Sequence, residues 1–200
     1  MNSRPPTPNS PLLRRLLRRA ATAALALAGL VAPGHASLIT SDPSLPPVGG
    51  AYVTPAGVHA TYTAGALQII LSQIQHSGFS NIIRTPVGAD ERENFDSIVS
   101  GLVSVTNGGF PVFTNQPLTL SGPVETLVQG KVGNVTGSFQ TEMLALSLSG
   151  VSPLGPVMIR ESPTLQTLGQ TDIIPIGGGL YQIDSFFDVF TELSIDGGAT

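Results

Sequence analysis

IDSFFDVFTELSIDGGAT, residues 183–200, is the stretch from which the fold prediction starts. Its apolar and acidic side chains alternate, which is the pattern of a strand with one buried face. The acids also recur every four residues, so a helix is an open alternative. We favour a strand because the residues are β-formers and Asp-Gly-Gly follows as a hairpin turn. One face holds Ile183, Phe187, Val189, Leu193 and Ile195, and the other holds Asp184, Asp188, Glu192 and Asp196.

The end of this stretch is a candidate turn motif. Ser-Ile-Asp-Gly-Gly-Ala-Thr, residues 194–200, resembles the Asp-box, a Ser-x-Asp-x-Gly-x-Thr-Trp hairpin of sialidases and other secreted β proteins. The resemblance implies a structural role, in which the carboxylate of Asp196 accepts backbone N–H bonds. The motif occurs once, whereas a propeller would repeat it at a regular period. The predicted turn residues are Ser194, Asp196, Gly198 and Thr200.

The rest of the chain favours an all-β fold. Short apolar runs follow one another from residue 51 onward, separated by Gly, Pro, Asn and Asp. This spacing predicts a single antiparallel β sandwich, jelly-roll or Ig-like. We expect the sandwich to be preceded by a signal peptide. Within it, Gly177-Gly178-Gly179 predicts a hairpin between Ile173–Ile176 and Leu180–Ser185.

One run, Ala66–Gln75, fits two kinds of secondary structure. Its Leu and Ile residues lie at i, i+3, i+4 and i+7, which is a helical stripe. We favour a strand because no capping residue directly precedes the run, and because Gly65 and Gly78 bracket it closely.

The first 36 residues have the order of an export signal. Arg14, Arg15, Arg18 and Arg19 precede an apolar run of about a dozen residues, which is too short to span a bilayer. Small residues then lead to a predicted cleavage after Ala36. We therefore expect a signal peptide over 1–36, an extended Pro/Ser/Gly-rich lead-in over 37–50, and a β-sandwich domain over 51–200 that is truncated at its C-terminus.

Removal of the leader changes the charge of the chain. Residues 37–200 hold four basic and thirteen acidic side chains, a net charge of about −9. Such a surface repels phosphate backbones, so no nucleic-acid partner is expected. The chain has no Cys, so its stability must come from the core or from bound ions rather than from disulfides. No later segment is apolar enough for a membrane span.

The residues that most often carry chemistry form no familiar pattern. His59 and His76 follow the leader, and only His76 has a serine, Ser77, beside it. The acidic run Asp90–Asp96 is either a solvated loop, which we favour, or a Ca²⁺ site built from carboxylates. Gly-x-Ser-x-Gly, His-Glu-x-x-His and phosphate-loop patterns are absent. We predict no catalytic, cofactor-binding or metal-binding residues, and not an enzyme.

Three further segments are informative together, and they are Gly137–Met143, Val157–Ser162 and Asp184–Thr200. In combination they resemble a group of exported bacterial proteins, many of which end in a PEP-CTERM sorting tail. The resemblance implies export and surface attachment, and no activity comes with it. We expect a non-catalytic secreted or cell-surface β protein with a structural or adhesive role, its partner being extracellular matrix or polysaccharide.

The alternative is a carbohydrate-binding or carbohydrate-acting module. Its motivation is the Asp-box, together with the frequency of sugar binding among secreted β sandwiches. The aromatic side chains available to stack on a sugar are Tyr52, Tyr62, Phe79 and Tyr181.

Overall fold

The computed structural model describes residues 34–198, and these form eleven strands. Their long alternating runs of apolar residues favour extended chain over helix. In chain order the strands are β1 (Gly34–Thr40), β2 (Ala51–Val53), β3 (His59–Ala64), β4 (Leu67–Val87), β5 (Asp90–Asn107), β6 (Phe110–Val128), β7 (Gly137–Ser152), β8 (Gly155–Glu161), β9 (Thr167–Gly177), β10 (Leu180–Asp188) and β11 (Thr191–Ser194).

The strands form one antiparallel sheet, which confirms the all-β sandwich prediction. The order of hydrogen-bonded strands is β11-β8-β7-β6-β5-β4-β2-β1-β10-β9. Strand β9 pairs with β7 as well, from Gly137↔Ile173 to Met143↔Thr167, so the series of pairings closes on itself. Strand β3 pairs with the first part of β4. The long strands β4–β7 are consecutive neighbours. Two-residue turns join β4 to β5 and β5 to β6, and the loop 129–136 joins β6 to β7.

The structure confirms two local predictions, the strand at Ala66–Gln75 and the hairpin at the three glycines. Ala66–Gln75 falls almost entirely in β4, where Leu67, Ile69 and Leu71 are buried. The hairpin at Gly177-Gly178-Gly179 is confirmed, since β9 and β10 pair from Leu180↔Gly177 onward. The three glycines have φ angles of 90°, 63° and 77°, which residues with a Cβ rarely adopt.

The strand predicted over residues 183–195 is interrupted. Strand β10 ends at Asp188, and β11 begins at Thr191. The two strands have different neighbours, because β10 lies between β1 and β9 whereas β11 pairs with β8. The chain crosses between them at Val189 and Phe190, and the backbone N–H of Phe190 donates to Oγ1 of Thr167.

The N-terminal segments contribute to the folded domain. Residues 1–33 of the predicted leader lie outside the described residues, and Gly34–Ala36 belong to β1. Ala36 is buried opposite Ser185 of β10. In the predicted lead-in, Leu45 is only 3% exposed and packs into the core. Within residues 34–198 no helix is long and apolar enough to cross a membrane.

The interior contains two apolar clusters. The larger core is formed by buried side chains of β3 to β8, with Leu120 and Leu148 almost completely inaccessible. The smaller core consists of Leu45, Val128, Phe139, Ile173 and Ile183.

Candidate functional site

A row of buried polar side chains separates the two cores. We call it the polar belt, and it runs across β5, β6, β7, β9 and β10. In β6, β7, β9 and β10, a residue of the smaller core lies two positions from the belt residue. The two side chains share a face, because side chains alternate with period two along a strand. The belt is made of Glu93, Thr126, Thr141, Thr171 and Ser185.

The pairing of the strands brings the belt residues together. Glu93 lies opposite Thr126, and Thr171 lies opposite Ser185. Thr126 Oγ1 donates to Oε2 of Glu93 at 2.9 Å, and Thr171 Oγ1 donates to Oγ of Ser185 at 2.9 Å. Thr141 lies between these two pairs, on β7. Thr141 lies opposite Val128 and Gly169, so it is diagonal to Thr126 and Thr171. The belt is therefore a polar strip that runs diagonally across the strands, and Thr141 makes no hydrogen bond to either pair.

The belt faces a pocket of about 120 Å³. Glu93, Thr126, Thr141 and Thr171 line it, and aromatic and aliphatic side chains of the larger core form most of the remaining wall. The pocket also reaches Thr54, Ile74 and Val189, which are only partly buried. These last residues mark the side on which the pocket approaches the surface.

Glu93 is the most unusual group in the pocket. Its side chain is 2% exposed, and its Oε1 atom has no hydrogen-bond partner. Burial raises its pKa to about 7, and repulsion by Glu91 acts in the same direction. The hydrogen bond from Thr126 lowers the pKa, as do the positive charges of Arg84 and Lys131. A carboxyl group in this state changes its charge near neutral pH.

A second belt oxygen is also left without a partner. Oγ1 of Thr141 is buried and makes no hydrogen bond within the part of the chain that the structure describes. Buried polar groups are nearly always paired, because an unpaired one loses its hydration without compensation. Two unpaired oxygens lining one pocket therefore indicate a position where a polar group of a ligand would be stabilised.

Aromatic rings form one wall of the pocket. Tyr52 packs on Phe79 and Phe187 with ring centroids 5.9 and 5.6 Å apart, and Phe79 packs on Phe95 at 5.5 Å. Burial raises the pKa of Tyr52 to about 12. Tyr62 and Phe79 are each 7% exposed, so these predicted sugar-stacking rings belong to the interior.

The ring of His76 packs against this aromatic wall, and its hydrogen-bond partner is Ser97 and not the adjacent Ser77. Its Nε2 atom lies 2.7 Å from Oγ of Ser97, which is 2% exposed. Burial lowers the pKa of His76 to about 4, so its ring is neutral near pH 7. His59 is exposed and lies against the carbonyl of Gly57. The two histidines thus have no common site.

The acidic run Asp90–Asp96 is a strand and not the predicted loop. Its side chains alternate between faces, so Glu93 points inward while Arg92 points outward and pairs with Glu125 at 3.2 Å. Asp90 accepts a bond from the N–H of Gly130, and Asp96 accepts one from Asn81. No group of three or more potential metal-ligating side chains occurs between residues 34 and 198.

The C-terminal turn has the following geometry. The backbone N–H of Gly198 donates to Oδ1 of Asp196 at 3.2 Å and to Oγ of Ser194 at 2.8 Å. Ser194 Oγ also donates to Asp196 Oδ1. Gly197 and Gly198 have φ angles of 74° and 86°. Thr200, the fourth predicted turn residue, lies outside the described residues.

The importance of Glu93 was missed from the sequence. In Asp-Glu-Arg-Glu-Asn-Phe it resembles one more charge of a solvated run, and buried Glu is rare. The available signal was the period-two alternation of the strand, because it places Glu93 on the same face as the buried Phe95 and Ser97.

Comparison with protein-family models, with curated proteins and with solved structures found no match for this chain.

Proposed function

We propose that the protein is an exported, non-catalytic β protein that acts outside the cytoplasm, in a structural or adhesive role. The observation that carries the adhesive role is a group of exposed apolar side chains at one end of the fold. The order of the N-terminal 36 residues supports export.

A group of exposed apolar residues lies where several connections meet. Because neighbouring strands are antiparallel, the turns at 87–90 and 177–180 and the loop 129–136 all lie at the same end, which we call the loop end. The loop is held there by the N–H of Val132, which donates to the carbonyl of Ala89. The exposed apolar side chains of the loop end are Val87, Val132, Val135, Ile176 and Leu180.

Exposed apolar side chains on neighbouring loops favour contact with a partner. A single one on a protein surface has no special meaning, but several on adjacent loops remove more apolar area from water when they are covered. Val135 is 52% exposed and Ile176 is 45% exposed, although both belong to a domain with buried cores. We therefore propose the loop end as the adhesive surface, with extracellular matrix material as its partner.

The test compares the two ends of the molecule. Val151, at the opposite end, is 77% exposed and provides a matched control. The full chain is expressed, and its retention on extracellular matrix preparations is measured for the wild type, for Val135→Ser/Ile176→Ser and for Val151→Ser. We expect the loop-end variant to lose most of its retention and Val151→Ser to keep it. Equal retention of all three proteins would refute the proposed surface.

A glycan array separates this proposal from the carbohydrate-binding alternative. Reproducible binding of the folded wild type to one sugar class would favour the alternative, and retention on matrix without glycan binding favours the adhesive role.

Export is tested independently by N-terminal sequencing of the secreted product. We expect it to begin at Ser37, which leaves Ser37–Thr40 to pair with β10. A product that stays in the cytoplasm and begins at Met1 would contradict export.

A further inference from the structure

We propose that the internal pocket binds a small molecule with a primary ammonium group and a short apolar body, held by Glu93, Thr126 and Thr141. This proposal does not depend on the adhesive role, because it concerns the interior and not the loop end.

The polar part of the pocket matches an ammonium group. An ammonium has three N–H donors and no acceptor. Oε1 of Glu93 and Oγ1 of Thr141 are two oxygens that accept no bond. Oγ1 of Thr126 donates a hydrogen bond to Oε2 of Glu93, and its lone pairs can still accept one. Thr126 lies opposite Glu93, and Thr141 lies on the next strand, diagonal to Thr126. All three residues line the pocket.

The charge of the interior also favours a cation. Of the basic side chains, Arg84 donates to the carbonyl of Leu45 and Lys131 donates to that of Asn134, so neither of these bonds reaches Glu93. His76 is neutral near pH 7. The charges of Arg84 and Lys131 act on Glu93 without a hydrogen bond to it. A buried carboxylate without a directly bound cation is unfavourable, and an ammonium ligand would form that ion pair.

The size and the walls of the pocket limit the rest of the ligand. A cavity of about 150 Å³ lined by apolar side chains accommodates benzene, and the volume here is about 120 Å³. The ligand body is therefore compact, with about four to six non-hydrogen atoms. Phe79, Phe95 and Met143 form apolar walls beside the belt, and aromatic faces also attract cations.

The test uses isobutylamine as the probe, with isobutanol as the neutral molecule of the same shape. The full chain is titrated by calorimetry at about pH 8, where both the Glu93 carboxyl and the amine are mainly charged. We expect isobutylamine to bind the wild type and isobutanol to bind at least about tenfold more weakly, because an ion pair is replaced by a neutral hydrogen bond.

Variants show whether the belt holds the amine. We expect Glu93→Gln to weaken amine binding about tenfold or more, since it removes the charge. Thr141→Val should weaken binding of the amine by a smaller factor. Valine has the same shape as threonine, so the core stays packed. Glu192→Gln is the matched control, because Glu192 pairs with Arg160 on the surface, away from the belt. It should bind the amine as the wild type does.

Proton release gives an independent readout. At about pH 6.5 part of the Glu93 population is protonated, so binding of a cation should expel a proton from it. Titrations in two buffers with different ionisation enthalpies measure this release, which Glu93→Gln should abolish. The proposal is overturned if the amine fails to bind the wild type, if isobutanol binds equally well, or if Glu93→Gln binds with unchanged affinity and proton release.

Discussion

The larger and the smaller core obey the same alternation of side chains but are closed in different ways. The buried members of the larger core all lie on strands β3 to β8, and partly buried residues outside the strands, such as Leu154, Val189 and Ile195, pack against them. The smaller core has strand residues from β6, β7, β9 and β10, and Leu45 of the irregular segment after β1 completes it. The two cores thus differ in their buried members, because those of the larger core all lie on strands, whereas the smaller core includes Leu45 of a non-repetitive segment that covers it.

The strongest test of this difference is a cavity in the larger core. Leu148 is 1% exposed and surrounded by side chains of several strands. We expect Leu148→Ala to lower the free energy of unfolding by about 4 kcal/mol, because rigid strands cannot collapse into the space. Chemical denaturation measures the loss, and Val151→Ala on the exposed face of the same strand should change stability by less than about 0.5 kcal/mol. A loss below about 2 kcal/mol would mean that the larger core is loosely packed.

The polar belt gives the next largest effect, and it depends on pH. The carboxyl of Glu93 has a pKa of about 7 in the folded protein and 4.5 as its ordinary value. The folded state therefore binds the proton more tightly, so the contribution of Glu93 is fully present below about pH 4.5 and is lost as the pH rises through about 7. Relative to Glu93→Gln, the wild type should lose on the order of 3 kcal/mol across this window.

His76 makes stability depend on pH in the opposite direction, both in the wild type and in Glu93→Gln. Its pKa is lowered from 6.5 to about 4, so its contribution is present above about pH 6.5 and is lost as the pH falls toward 4. The difference between wild type and Glu93→Gln removes this common term. Denaturation curves of both proteins at several pH values provide the measurement, and a difference independent of pH would show that Glu93 titrates normally.

The cover of the smaller core should be more tolerant than a strand position. We expect Leu45→Ala to lower the free energy of unfolding by about 2 kcal/mol, the low end for a buried Leu, because the irregular segment can settle into the space. Thermal or chemical unfolding measures it beside Leu148→Ala. An equal loss at the two positions would contradict the view that the cover is more adaptable than the strands.

The C-terminal turn gives the smallest effect. Asp196→Ala removes one acceptor from the N–H of Gly198, but Oγ of Ser194 still accepts from that group. We therefore expect a loss of about 1 kcal/mol, and less for Asp196→Asn because its amide oxygen still accepts. Melting temperatures of the three proteins measure the order, and an Asp196→Asn variant less stable than Asp196→Ala would contradict this account.

Much of the fold was predictable from local patterns. The class of the fold, the strand at Ala66–Gln75 and the hairpin at Gly177–Gly179 follow from β-forming residues, alternation and glycine turns, and the structure has all three. The break at Val189 was not predictable in this way. Alternation continues through it, and the strand is divided there because β10 and β11 pair with different strands.

The pocket depends on tertiary structure even more strongly. The sequence by itself determined which residues could share a face, because the period of a strand is a local property. Which face turns inward is decided by pairing, and it makes Glu93 a buried acid instead of one charge in a solvated run. Thr126 and Thr141 are 33 and 48 positions from Glu93 in the sequence, and only the strand register brings their oxygens to the same strip. Hydrogen-bond partners and burial arise from such distant neighbours, so the chemistry of the belt became visible only in the folded chain.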